Sequence, residues 1–396
     1  MSLVSTTLGL QAILFQIAWV GARIMLVYRA IDGGASPLML GVLTSAFALP
    51  ALLTAPLVGQ LATRRGGSRT CLVGLSMLAT GCLTSAVTPE LGWLLLGAVI
   101  AGIGHLLISV GQQIYVAQRS DRNASDAGFA SLSAASSIGQ VIGPLLVTLV
   151  ASTLLFGSAP NVSGTSAGLF VCAAVAGAAL PLGLILGPHD AVHTLTREQI
   201  TSTASYRSVL STPQMKRALL AGTAVTVTLE LMYTFVPIWA VERGIDPVAV
   251  GWLLALRALV SVTSRFGITR LIARFGRKVL MLTALSSGVI ALVVLPMSDI
   301  TGGVVAMVAL GVCLGIPPPL TMAWLVQITK RNQHGAALGI RVSMNRLAQV
   351  SIPLAVSSTT ASLGVAGVFW SNAALLTAAI AVIARSDPNQ PPAGSA

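Results

Sequence analysis

Residues 59–67 read Gly59-Gln60-Leu61-Ala62-Thr63-Arg64-Arg65-Gly66-Gly67, and residues 271–278 read Leu271-Ile272-Ala273-Arg274-Phe275-Gly276-Arg277-Lys278. Each is a short basic turn between two long apolar runs. At an offset of 210 the correspondence extends outward: Gly34, Pro37, Gly41, Leu43, Arg64 and Gly66 fall on Gly244, Pro247, Gly251, Leu253, Arg274 and Gly276. At an offset of 209, Gln118, Arg122, Asn123, Gln140 and Pro144 fall on Gln327, Arg331, Asn332, Gln349 and Pro353. The matched residues are turn formers and charges, not aliphatic filler that would align by chance. In an apolar chain, a duplication of this size marks a transporter built from two bundles with the substrate site between them.

The chain has 396 residues, 55% of them hydrophobic and 9% charged, with a mean hydropathy of +0.86. No soluble domain could bury so much apolar surface, so the bilayer is the expected solvent. A membrane helix needs about 20 apolar residues. Twelve such spans are legible, at 8–28, 37–61, 70–87, 92–117, 127–155, 167–186, 218–240, 248–269, 279–295, 302–328, 336–358 and 362–384. The expected fold is therefore an all-α membrane protein of two pseudo-symmetric six-helix bundles. Residues 1–186 form the first bundle, 187–217 a central cytoplasmic loop, 218–384 the second bundle and 385–396 a disordered cytoplasmic tail.

The net charge of +12 follows from topology and does not call for nucleic acid. With the N-terminus inside, sixteen Lys/Arg fall in cytoplasmic segments and two, Arg29 and Arg243, in outer loops. Acidic residues divide evenly and do not orient the chain. Both termini are expected in the cytoplasm of a bacterial inner membrane. The four cysteines lie within spans and too far apart for a metal motif, so they read as packing residues and no metal or cofactor is expected. The first apolar stretch has full span length, so no cleavable signal peptide is expected.

An ionised side chain at the bilayer centre costs about 2.5–3.5 kcal/mol on insertion scales, so each needs a partner, a pathway or a route to the surface. Within the spans stand Arg23, His105, Glu230, Arg257, Arg265, Arg341 and Arg346. Glu230 is the only carboxylate well inside a span, about 18 Å along its helix at roughly 1.5 Å per residue. Thr223, Thr226, Glu230, Tyr233 and Pro237 share one helical face. A desolvated carboxylate can take up and release protons near neutral pH. The functional reading of Glu230 is thus proton coupling or cation binding, and the alternative is a structural ion pair.

Gln16, Trp19 and Arg23 form a stripe on the first span; Arg23 maps to position 232 and could pair with Glu230, or snorkel to the outer headgroups. Arg257 and Arg346 lie at mid-depth, the latter beside Gln349, and both are cavity candidates. His105 shares a face with Ser109 and Gln112 and is either packed and hydrogen-bonded or a ligand contact. Gln140 completes the polar set. Trp239, at a helix end, reads as an interfacial anchor. Pro317-Pro318-Pro319 must interrupt the tenth span at mid-membrane, and such interruptions occur at transporter hinges.

The two basic turns resemble the signature loop of the major facilitator superfamily, Gly-x-Leu-Ala-Asp-Arg-x-Gly-Arg-Lys, in both positions where that superfamily carries it. Gly139-x-x-x-Gly143-Pro144 looks like part of the Gly/Pro motif of its drug–proton antiporter branch. The resemblance covers the whole chain and implies gating roles for Arg64, Gly66, Arg274 and Gly276. It also implies that spans 1, 4, 7 and 10 line the cavity. The loop carboxylate is replaced by Thr63 and Ala273, and the proton-motif arginine of span 4 is absent.

The resulting expectation is a monomeric secondary active transporter working by alternating access, coupling protons to export of a small organic compound. Glu230 would carry the proton. The alternative is uptake or exchange of an organic anion or sugar-type solute, because the mid-depth arginines outnumber the single carboxylate. A transporter-like membrane sensor is the alternative of another class. An enzyme is not expected, since the spans show no close cluster of His, Asp, Glu and Cys.

Overall fold

The structure, a computed structural model, describes residues 3–87, 89–119, 122–152, 164–187, 211, 214–329, 334–357 and 360–386. Most of the expected central loop lies outside these residues, as does the tail beyond Ser386. The helices are α1 (Leu3–Asp32), α2 (Pro37–Arg65), α3 (Gly67–Val87), α4 (Leu91–Arg119), α5 (Arg122–Ser152), α6 (Gly164–Ala178), α7 (Leu180–Leu186) and α8 (Met215–Glu242). They continue as α9 (Pro247–Thr263), α10 (Ile268–Phe275), α11 (Arg277–Val294), α12 (Ile300–Gly315), α13 (Pro317–Ile328), α14 (His334–Ser357) and α15 (Thr360–Ala384). Among the described residues every regular element is helical.

Ten of the helical segments are long and apolar enough to cross a membrane, α6–α7 and α12–α13 each counting as one. The bent pair α9–α10 is an eleventh if taken as one span; its halves meet at 65°. The bend falls at Gly267, whose φ of 77° lies in the left-handed region that favours glycine. The remaining helix, α14, is long enough at 24 residues but too polar, because it carries Arg341, Asn345, Arg346 and Gln349. The polarity that weakens its apolar signature is also what makes it a candidate site helix.

The duplication is visible in local geometry. At the end of α1, Gly34 (φ 75°) closes a Schellman turn with Ala35 N donating to Ala30 O (2.9 Å) and Gly34 N to Ile31 O (2.9 Å). At the end of α8, Gly244 (φ 64°) repeats it, with Ile245 N to Ala240 O (2.9 Å) and Gly244 N to Val241 O (3.1 Å). Ser36 and Asp246 then accept from backbone N–H groups of the next helix, and Pro37 and Pro247 start it. In the two basic turns Gly66 (φ 92°) and Gly276 (φ 77°) end α2 and α10 alike.

The chain divides into two compact units: Met1–Thr196 with Val236–Ala255, and Arg197–Phe235 with Leu256–Ala396. Within the first, α1 packs on α5 and α6, and α4 packs on α2 and α3. The α3–α4 seam is built on glycines at heptad spacing, Gly67, Gly74 and Gly81 facing Gly111, Gly104 and Gly97 in antiparallel order. A Cβ on Gly67, Gly74 or Gly81 would come within 2.5–2.7 Å of the facing glycine's carbonyl oxygen. Small residues let the backbones touch, which is how helices associate where lipid gives no hydrophobic drive.

Within the second unit α11 packs on α12 and α15. Helical hydrogen bonding is interrupted at Ile316, yet that residue keeps helical angles (φ −77°, ψ −50°). The three prolines remove the N–H groups that Cys313, Leu314 and Gly315 carbonyls would accept from. Arg265 Nε donates to the Gly315 carbonyl at 3.3 Å and so satisfies one of them.

Candidate functional site

In the first unit the candidate residues of α1 and α4 meet in an aromatic cluster. Trp19 stacks on His105 with centroids 4.1 Å apart and planes at 22°, Phe47 of α2 meets Trp19 edge-on at 5.3 Å, and Phe15 lies 5.5 Å from His105. His105 Nε2 is 3.5 Å from Ser109 Oγ, one turn along the same helix. Arg23 is 3% exposed, with its guanidinium 5.7 Å from the Trp19 ring and 5.9 Å from that of Phe47. Ring faces are a favourable environment for a cation held away from water.

About two turns away along the same helices, Gln112 Nε2 donates to Gln11 Oε1 at 3.4 Å, both buried. Gln16 is half-buried against Gly139 of α5, where a Cβ would sit 2.6 Å from Gln16 Cβ. Gly143, one turn on, approaches the Ile17 carbonyl in the same way. The Gly139/Gly143 spacing thus serves close α1–α5 packing. Gln140 is half-buried.

In the second unit the polar residues of α8 and α14 form a chain. Arg346 Nη1 donates to Gln349 Oε1 at 3.0 Å, and Gln349 Nε2 donates to Glu230 Oε1 at 3.4 Å. Gln349 therefore uses its amide at both ends and relays a cation to a carboxylate across two helices. A turn away, Thr223 Oγ1 donates to Asn345 Oδ1 at 3.0 Å. Thr226 donates to the Gly222 carbonyl of its own helix at 3.0 Å.

Arg257 is 1% exposed. Its Nη2 donates to the Tyr233 hydroxyl at 2.9 Å and its guanidinium lies 5.2 Å from the Tyr233 ring centroid. Its Nε finds no acceptor among the described residues. Gly311 of α12 brings the backbones together here, since a Cβ on it would meet the Arg257 carbonyl at 2.9 Å.

The repeat relates these two arginine sites. At the offset of 210 that holds for the adjoining turns, Arg23 falls on Tyr233 and Phe47 on Arg257. In one half the cation stands on the first helix and the ring on the second; in the other half they exchange helices. The guanidinium–ring contact is kept while its partners swap, and the earlier match of Arg23 to position 232 is refined to Tyr233.

The other expected residues sort by local environment. Arg341 Nη1 lies 3.0 Å from Met322 Sδ and its Nη2 3.5 Å from Thr321 Oγ1, beside the proline segment. Arg277 donates to Gln327 Oε1, and Lys278 donates to the Ala384 carbonyl, so the second basic turn is tied into its own bundle. Trp239 is buried, not at a surface as an anchor would be, and its indole N–H has no acceptor among the described residues. All four cysteines are buried and free, and among the described residues no group of three His, Cys, Asp or Glu could hold a metal ion. Sequence reasoning missed the Arg265 contact to Gly315 and the glycine heptads; the signal for the latter was the seven-residue spacing on two consecutive spans.

The sequence matches the family profile of the Major Facilitator Superfamily over residues 8–301 and 218–396. The chain belongs to this superfamily. A search of curated proteins returned no match. Among solved structures, a mutant of the nucleoside transporter NupG is similar at a TM-score of 0.77 and 14% identity, covering 96% of this chain and 99% of that one. A POT family transporter in complex with 5-aminolevulinic acid gives 0.73 and 14%, covering 96% and 94%. A bacterial homologue of the human lysosomal transporter Spinster gives 0.72 and 12%, covering 97% and 95%. At such identities these structures establish the facilitator fold and leave the solute to be read from this chain's own residues.

Proposed function

We propose that this facilitator-superfamily protein is a proton-coupled secondary transporter that exports a small organic compound by alternating access, with Glu230 carrying the proton. The observation that supports it best is the Arg346–Gln349–Glu230 chain. Protonation of the carboxylate would remove the charge that balances Arg346 along this chain, so proton uptake at Glu230 has an electrostatic consequence for both helices. Protonation of Glu230 would weaken the Gln349 hydrogen bond, freeing α8 and α14 to rearrange. The proline interruption between α12 and α13, held by Arg265, is the hinge we assign to that movement. Arg64, Gly66, Arg274 and Gly276 would gate from the basic turns, which the bias of basic residues assigns to the cytoplasm of a bacterial inner membrane. The export direction rests on the Gly139/Gly143-Pro144 resemblance.

A second reading, transport of an organic anion, is favoured by Arg257. A buried guanidinium with an unoccupied Nε donor is a ready partner for a carboxylate. The test is flux into everted membrane vesicles under an imposed pH gradient, with a panel of cationic dyes, neutral antibiotics, sugars and organic acids. Gradient-dependent uptake of a cation or neutral compound supports the first reading. Movement of organic anions alone, lost in Arg257→Gln, replaces it with the second.

A further inference from the structure

Where α2 ends and α3 begins, a groove of about 420 Å³ opens on the first unit. Its walls are Leu61 and Val73, both exposed, with Leu107 and Thr70 behind them, and Arg65 and Arg69 stand over it. Both arginines are exposed, and among the described residues neither has a hydrogen-bond or ion-pair partner. The Thr70 hydroxyl donates to the Gly66 carbonyl at 2.8 Å, so the charged donors at the groove belong to the two arginines.

The duplication shows that these charges are out of register with their counterparts. At the offset of 210, Arg65 and Arg69 fall on Phe275 and Val279, which are 50% and 48% exposed, as lipid-facing side chains are. Conversely, Arg277 and Lys278 of the second half, which bond to Gln327 and to the Ala384 carbonyl, fall on Gly67 and Ser68, which are buried. In the second half Arg277 and Lys278 are tied to its own helices, the Arg274 guanidinium lies 5.4 Å from the Phe275 ring centroid, and the position of Arg69 is taken by an exposed valine. The first half places two free guanidinium groups where its repeat presents phenylalanine and valine.

We infer that this groove binds one anionic phospholipid. The two arginines would take the headgroup phosphate, and Leu61, Val73 and Leu107 would carry an acyl chain. Guanidinium groups match phosphate oxygens in geometry and charge, and the turn they flank is the level at which the basic bias places the inner headgroups. Apolar walls below a charged rim suit an amphiphile better than a free ion.

The test is native mass spectrometry of the purified full-length protein titrated with phosphatidylglycerol or with phosphatidylcholine of the same acyl chains. Wild-type protein should retain one phosphatidylglycerol in preference to phosphatidylcholine. Arg65→Gln/Arg69→Gln should reduce that preference by about tenfold or more. Val73→Trp, which fills the groove and leaves the charges, should also weaken retention. Arg270→Gln/Arg385→Gln, which removes two exposed charges elsewhere, should leave it unchanged. Equal retention of the two lipids by wild type would overturn the inference. So would an unchanged preference in Arg65→Gln/Arg69→Gln, full retention in Val73→Trp, an equal loss in the control variant, or displacement of the lipid by inorganic phosphate alone.

Discussion

Burial alone does not say what an intramembrane charge is for; its partners do. Arg257 and Arg23 are both buried, and each rests against aromatic rings supplied by a neighbouring helix or its own. Tyr233→Phe keeps the ring but removes the hydroxyl that accepts from Arg257. A hydrogen bond to a charged group contributes about 1.5–3 kcal/mol, so this variant should unfold at a lower temperature in detergent. Arg257→Lys should not substitute, because a compact ammonium lacks the planar fork of donors that lets the guanidinium reach the hydroxyl while staying close to the ring. Wild-type melting of both variants would show that the contact contributes nothing. These pairings were out of reach of the sequence. It put Arg23 on the first span, Tyr233 on the face of Glu230 and Arg257 at mid-depth, but which of them touch depends on helix rotation, which a hydropathy pattern leaves open.

The element scale is where helix seams and interruptions act. Gly74 and Gly104 are in backbone contact across α3 and α4, and a side chain on either must push the helices apart. Gly74→Val should destabilise the protein by roughly 1–3 kcal/mol. Gly177→Ala, at a glycine with nothing within 4 Å of its would-be Cβ, should be neutral or slightly stabilising. Thermal unfolding of the two purified variants separates seam from open surface. Arg265 poses a different test. Replacing it with leucine leaves the Gly315 carbonyl without its donor at the proline interruption. Arg265→Leu should therefore slow transport more than it lowers substrate affinity, if the interruption is a hinge. Most helices were legible from their apolar runs. The break within the eighth span was not, because Thr263, Ser264, Arg265 and Gly267 stand near its end, where polar residues equally suit the plain terminus of a membrane helix.

At the scale of the whole molecule, the duplicated halves, the apolar runs and the two basic turns carry the resemblance to the superfamily, and the family match agrees. The solute was not legible, because selectivity lies in a handful of polar contacts that the repeat does not constrain. Orientation can be tested with thiols, since the native cysteines are all buried. A membrane-impermeant maleimide should label Arg243→Cys in intact cells and Arg270→Cys only after permeabilisation; the reverse pattern would invert the topology. The most direct test of the central claim, that Glu230 couples protons to transport, uses Glu230→Gln protein reconstituted with a solute found in the vesicle panel. The account predicts that a pH gradient no longer drives accumulation, while exchange of labelled for unlabelled solute persists. Gradient-driven accumulation at the wild-type level in that variant would contradict it.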